Sequence, residues 1–497
     1  MFKNFTGYSI LEKIQKKKSH TRERKLPINA IKLIFIVAIT SVIALLPTES
    51  FGIEGLTVVH QRIISLFVFA ALMWLTEAMP SWVTSMVVVT IMLLTVSTSA
   101  FNFLRPEDGA GLVPFKSIMA CFANPTIMLF IGGFVLAIGL TKVKLDVALA
   151  RVLLKPFGTR SEIVLLGFIL VTAIFSAFVS NTATAAMMLA FLTPVLKSLP
   201  ADGKGRIALA LAIPVGANLG GMITPIGTPP NMIALDYLSS QGMGISFVDW
   251  TIKMAPFVIV LLLLSWLLLR FLFPFKQKHI KIEIEGDIKW NRHTWSVVAA
   301  FVITIFMWMF GTDLWGVDTN VVAMIPIAIF CATGILTRRD LEEINWSVLW
   351  MVAGGFALGV ALNYKDASSV SLSSLIVNTV PFDNFSPLVV MILAGIICFG
   401  FSNFISHSAA TSLLVPVLGV VAGGLGASLD NYGGPQSMLV GIAIASSVSM
   451  ILPISTPPNA IAHSTGFIEQ KDMMKVGIII GIMGLVLGYA MLIFIGF

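Results

Sequence analysis

Residues 224–234 read TPIGTPPNMIA, and residues 452–462 read LPISTPPNAIA. The stretches lie 228 residues apart and agree at eight of eleven positions: Pro225/Pro453, Ile226/Ile454, Thr228/Thr456, Pro229/Pro457, Pro230/Pro458, Asn231/Asn459, Ile233/Ile461 and Ala234/Ala462. Each sits inside an otherwise apolar span long enough to cross a bilayer. A Thr-Pro-Pro-Asn run cannot continue a helix, because two prolines remove donors and clash with the preceding turn. Breaking a helix in hydrocarbon bares backbone groups, which is tolerated only beside a cavity or a protein partner. A matched pair of interrupted helices, one in each half, points to a transporter binding site.

Composition agrees. Of 497 residues, 57% are hydrophobic and 11% charged, against roughly 25% charged in an ordinary soluble domain. Several apolar runs match a bilayer span in length. The net charge of +7 reads as membrane topology, not nucleic-acid affinity. Lys13, Lys16, Lys17, Lys18, Arg22, Arg24 and Lys25 precede the first span, which places the N-terminus in the cytoplasm by the positive-inside rule. No small-residue cleavage site follows that span, so it reads as a retained helix. Cys121, Cys331 and Cys398 offer neither metal spacing nor a disulfide framework.

Candidate spans fall at about 30–46, 56–78, 81–97 and 124–140, followed by an amphipathic connection at 141–160. The stretch 161–199, broken by Ser180-Asn181-Thr182, reads as a re-entrant hairpin. Next come 206–237, broken at 224–230, and 252–274; the polar loop 276–293 divides the halves. The second half gives 294–310, 319–336, 346–362, a connection at 364–380, a hairpin at 385–424, the broken span 437–465 and a last helix at 473–497. The expected fold is an all-α polytopic membrane protein with about eleven crossings. An odd count puts the C-terminus outside the cell.

The repeat extends beyond the prolines. FIGGFVLAIGL at 130–140 parallels VAGGFALGVAL at 352–362, and Ser180-Asn181-Thr182 parallels Ser406-His407-Ser408, at offsets of 222 and 226. About five crossings separate the copies, so the two halves have opposite topologies. This is an inverted repeat.

The markers define the chemistry. The first hairpin tip presents hydroxyls, an amide and the free N–H groups of a helix start. The broken helix adds unwound carbonyls around Gly227 and a second helix start at Pro229. Helix N-termini suit a carboxylate; unwound carbonyls and hydroxyls suit a hard cation such as sodium. The second half repeats the set with Ser406, His407 and Ser408 and with Ser455, Thr456 and Pro457. Two facing half-sites would hold the two ends of a short dianion.

FVSNTATAAMM, TPIGTPPN and LPISTPPN, with WLTEAMP at 74–80 and FIGGF at 130–134, resemble the divalent anion/sodium symporter (INDY-like) family from about residue 56 onward. The resemblance implies transport of di- and tricarboxylates, sodium-coupled or by exchange. It also implies a homodimer in the plasma membrane, working by an elevator motion. Scaffold segments at 29–160 and 294–383 would carry transport-domain segments at 161–275 and 384–497, with a cytoplasmic arm at 1–28 and a cytoplasmic loop at 276–293. On the first half, Asn181, Thr182, Thr228 and Pro229 would touch substrate. Ser176, Ser180, Asn181 and the Gly227 carbonyl would hold a sodium ion, and no other cofactor is implied. On the second half, Ser408, Thr456 and Pro457 fall at substrate positions.

One departure carries weight. The family has a second Ser-Asn-Thr where this chain has Ser406-His407-Ser408, and Ser402 replaces a usual threonine. A protonated His407 would supply the positive charge that a sodium ion otherwise brings. A carrier with fixed positive charge would cross empty only at a cost of several kcal/mol. Obligatory exchange of C4–C5 dicarboxylates (malate, succinate, fumarate, 2-oxoglutarate) follows; sodium-coupled uptake is the alternative. The bland readings are a packed histidine at 407, helix packing at Gly132-Gly133 and Gly354-Gly355, and a structural Glu77 at a helix start or hinge. A polytopic membrane enzyme is the remote rival: adjacent Ser406 and His407 on a helix point about 100° apart, and no acid lies nearby to orient the imidazole.

Overall fold

A computed structural model describes residues 29–107, 109–200, 203–280, 290–365 and 370–497. The basic arm at 1–28 and residues 281–289 of the loop 276–293 lie outside the described residues. The α-helices run in order α1 (Ala30–Leu45), α2 (Val58–Thr76), α3 (Ser81–Thr95), α4 (Phe115–Ala120), α5 (Pro125–Lys142), α6 (Leu145–Leu154), α7 (Ser161–Phe178), α8 (Asn181–Ser198), α9 (Gly205–Gly220), α10 (Pro229–Ser240) and α11 (Phe247–Leu272). The second half contributes α12 (Arg292–Trp315), α13 (Thr319–Val322), α14 (Met324–Ala332), α15 (Arg338–Glu342), α16 (Trp346–Asn363), α17 (Leu372–Thr379), α18 (Pro387–Phe404), α19 (His407–Leu425), α20 (Gly434–Ser447), α21 (Pro457–Ser464) and α22 (Gln470–Phe494). Nine helices among the described residues are long and apolar enough to cross a membrane. The shorter α9 is half of a broken span.

Local sequence explains the two hairpins. Helix α7 ends at Phe178, Val179 is extended, and the Ser180 hydroxyl caps α8 by accepting the Ala183 N–H at 3.3 Å. Helix α18 ends at Phe404, Ile405 is extended, and the Ser406 hydroxyl caps α19 by accepting the Ala409 N–H at 3.3 Å. A β-branched residue in extended geometry followed by a serine N-cap restarts a helix in a new direction. The breaks are equally matched. Thr228 (φ −147°) and Thr456 (φ −139°) are extended N-caps, each followed by a proline at the first helical position, where its missing N–H costs nothing.

Close packing fixes the broken helix against its hairpin. A Cβ on Gly220 would lie 2.3 Å from Ala173 Cα, and one on Gly216 would lie 2.6 Å from the Ile169 carbonyl oxygen. These glycines, four residues apart, let α9 touch α7 backbone to backbone.

Three expectations need correction, and one element is new. The span read at 319–336 divides at Ala323 into α13 and α14, where Gly132 of α5 presses on the Ala323 carbonyl, 2.5 Å from where a Cβ would sit. Glu77 starts no helix: in left-handed geometry (φ 47°) it closes α2. The glycine pairs do not all pack. Gly354 abuts Ser85 and Gly355 abuts Ser412, whereas nothing lies within 4 Å of a Cβ on Gly133. Finally, α15 forms a short helix unforeseen in the sequence. Its Asp340 binds Lys142 at 2.5 Å, and Lys142 also donates to the Ile335 carbonyl at 2.7 Å. Burial alone would raise the Asp340 carboxyl, but hydrogen bonds from Lys142 and Thr337, with the Lys142 charge, hold it below its ordinary value.

Gly220→Ala should lower the thermal midpoint of the purified protein by several degrees, since overpacking against backbone costs about 1–3 kcal/mol. Gly359→Ala, with open space around its Cβ, should leave the midpoint unchanged or raised. Equal behaviour of the two variants in thermal unfolding would contradict this packing.

Candidate functional site

The two hairpin tips and the two breaks meet around one cavity of about 230 Å³. Ser180, Asn181, Thr182, Thr228, Pro229, Ser406, His407, Ser408, Thr456 and Pro457 all line it, with Gly227 and Ser455. Four helix N-termini, those of α8, α10, α19 and α21, therefore start at its wall. Their free N–H groups and dipoles favour an anion. Among the described residues, no lysine, arginine, aspartate or glutamate lines the cavity.

Each break is stabilised by the asparagine of its motif. The Asn231 amide donates to the Gly221 carbonyl at 3.0 Å and the Thr224 carbonyl at 2.8 Å. The Asn459 amide donates to the Met450 carbonyl at 2.9 Å and the Leu452 carbonyl at 3.1 Å. The indole of Trp250 donates to the Met222 carbonyl at 3.1 Å. The Thr224 hydroxyl donates to the Ala177 carbonyl, and the Ser455 hydroxyl donates to the Asn403 carbonyl at 3.0 Å. These carbonyls, at the breaks and the hairpin ends, are thus paired by side chains of the protein.

The cation chemistry of the two halves differs. In the first, the buried Ser176 hydroxyl lies 2.7 Å from both Asn181 Oδ1 and the Ala217 carbonyl. A Cβ on Gly221 would sit 2.6 Å from Asn181 Oδ1, and one on Gly227 would sit 2.4 Å from the Gly221 carbonyl oxygen. Ser176 itself stands behind the cavity wall. This cluster of hydroxyl, amide and carbonyl oxygens has the donor set of a hard-cation site. In the second half, His407 Nε2 lies 2.5 Å from the Ser449 carbonyl. That carbonyl only accepts, so Nε2 carries the hydrogen. Ser449 is the counterpart of Gly221 at the 228-residue offset. An imidazole N–H thus occupies the Ser449 carbonyl, whereas the Gly221 carbonyl accepts the Asn231 amide. The Ser446 and Thr411 hydroxyls donate to the His407 carbonyl at 3.0 and 2.9 Å, fixing the helix start.

The sequence reading missed the opposite wall. Phe130, Gly133 and Phe134 of α5, Ser81 and Trp82 at the start of α3, and Asn345, Ser347, Val348 and Met351 around the start of α16 complete the cavity. Among these, Pro80 before Ser81 and the glycine pair carried the only detectable signal. A second cavity of about 760 Å³ lies between α5, α10, α11 and α13. There the Thr126 hydroxyl donates to Asp236 Oδ1 at 2.8 Å.

Comparison with known proteins fits this architecture. A family model described as the sodium:sulfate symporter transmembrane region matches residues 28–496. An uncharacterised transporter of Haemophilus influenzae is 31% identical, over 84% of this chain and 88% of its own. The sodium-dependent dicarboxylate transporter SdcS of Staphylococcus saprophyticus is 28% identical, over 85% of this chain and 84% of its own. The crystal structure of the Alcanivorax borkumensis YdaH transporter superposes with a TM-score of 0.53 at 13% identity, covering 88% of this chain and 99% of that one; this likeness concerns the fold alone. With a family model spanning nearly the whole chain and motifs converging on one central cavity, the chain belongs to the sodium:sulfate (divalent anion/sodium) symporter family of membrane transporters.

Proposed function

We propose that this protein exchanges C4–C5 dicarboxylates across the cell membrane without requiring sodium, by an elevator motion within a homodimer. The observation that carries this reading is the His407 Nε2 contact with the Ser449 carbonyl. A tethered N–H takes the place of a releasable cation at the second half-site. Binding there does not wait for a sodium ion, so a sodium gradient has no hold on that step. Were the imidazole to take up a proton, the substrate-free carrier would hold a charge that only a dianion neutralises; moving it empty would then cost several kcal/mol, and only the loaded form would cross readily. Neutral donors elsewhere in the cavity suit a range of short dicarboxylates.

The charge pattern supports a cytoplasmic opening. Following the crossings in alternation places the starts of α3 and α16, helix α6 and the base of the first hairpin on one face. That face carries Lys142, Lys144, Arg151, Lys155, Arg160, Lys197, Lys204, Arg206, Arg338 and Arg339. The other face has fewer bases, Arg62, Arg105, Lys116, Lys253 and Lys365, and carries Glu49, Glu54, Asp313 and Asp318. By the positive-inside rule the first face is cytoplasmic. The cavity reaches Trp82 and Ser347 on that side.

A second reading is sodium-coupled dicarboxylate uptake. The oxygen cluster at Ser176, Asn181 and Gly227 favours it, as does the sodium dependence named for the staphylococcal relatives.

Flux into proteoliposomes separates the two. Labelled succinate should enter only vesicles preloaded with dicarboxylate, at a rate indifferent to sodium. Sodium-driven entry into empty vesicles would reject exchange. His407→Asn should introduce a sodium requirement, with uptake rising severalfold when sodium replaces potassium; a folded variant with unaltered sodium response would overturn the role given to the imidazole.

A further inference from the structure

Asn218 sits at the end of α9, in the first repeat, yet both its amide hydrogens are spent on the second. Asn218 Nδ2 donates to Thr456 Oγ1 at 3.2 Å and to Asn459 Oδ1 at 3.0 Å. Thr456 Oγ1 also accepts the Asn459 backbone N–H at 3.2 Å. A threonine hydroxyl has two lone pairs and one hydrogen. Both lone pairs of Thr456 are taken, so its hydroxyl can act only as a donor, and Thr456 lines the cavity. We infer that Asn218 is a positioning residue that turns the Thr456 hydroxyl into a fixed donor for a substrate carboxylate, giving the bound dianion a defined orientation.

The first half lacks this device. Thr228 makes no capping bond, and the counterpart of Asn218 at the 228-residue offset, Ser446, donates to the His407 carbonyl instead. The Thr228 hydroxyl is therefore a free rotor that can donate or accept. A carboxylate, which only accepts, seats at Thr456. The end of the substrate that varies, with or without a hydroxyl or keto oxygen, faces Thr228. Asn218 is 2% exposed, and its Oδ1 finds no donor. A residue serving packing alone would gain by avoiding that cost. The inference rests on dicarboxylate binding at this cavity.

The test is a double-mutant cycle read by succinate counterflow in proteoliposomes, with rates normalised to folded protein. Asn218→Ala should raise the apparent KM about tenfold, the weight of one hydrogen bond to a charged group, with the maximal rate little changed. Thr456→Val should do the same, Thr456→Ser should keep the wild-type KM, and the double variant should be no worse than Thr456→Val. Asn218→Asp should be worse than Asn218→Ala, because its carboxylate draws the Thr456 hydrogen away from the cavity. Should Asn218→Ala fold poorly, Asn218→Ser, the residue its counterpart position carries, serves the same comparison. A wild-type KM in Asn218→Ala or Asn218→Ser, or additive losses in the double variant, overturns the inference. A wild-type protein that moves a different anion overturns the dicarboxylate reading alone, and the same cycle is then run with that anion.

Discussion

A backbone carbonyl left unpaired in a dry interior costs several kcal/mol, and this protein breaks two helices at its centre. The structure meets that cost with side chains written into the breaks themselves. Asn231 and Asn459 each donate to two carbonyls of the segment just before them. The prolines stop the helix, the threonine turns the chain, and the asparagine pairs what the turn exposes. The motif is therefore a single device, and its four residues make sense only together. Once the breaks are stable, the helix starts that follow them are free to face the cavity.

That arrangement explains how the site can favour an anion without any basic side chain. Four helix N-termini contribute partial positive charge and free N–H groups at the cavity wall. Dipoles of this kind are cheaper to bury than a lysine or arginine, because no full charge loses its hydration. The exception is His407, whose ring is tied to a backbone carbonyl. It occupies the place that its repeat partner Asn181 fills with an amide oxygen, so the two hairpin tips present different groups at matched positions.

Much of this was legible in the chain, and the reason is duplication. The eight matched positions of the proline motifs, with the two hairpin tips, identified the residues that the structure gathers around the cavity. A single copy would have left those prolines indistinguishable from ordinary kinks. The opposite wall was not legible. Trp82, Asn345 and Ser347 are unremarkable residues at helix starts, and only tertiary packing brings them to the cavity. The Asn218–Thr456 contact joins residues 238 apart in different repeats, which no local pattern reports. Gly132 and Gly133 are adjacent in sequence and point about 100° apart on their helix. Spacing alone cannot tell which one meets Ala323 and which one meets open space.

Gly133 and its repeat counterpart Gly355 differ in one more respect. Gly355 is pressed against Ser412 of the second hairpin, whereas Gly133 has no neighbour. Two identical repeats exchanging these roles would make the two access states mirror images of equal free energy. This chain has let its halves drift: histidine against asparagine at the tips, asparagine against serine at the ends of α9 and α20. Each such difference tilts the balance between the states, by an amount set by the contacts one has and the other lacks. The resting preference of the carrier is thus a tally of its broken symmetry.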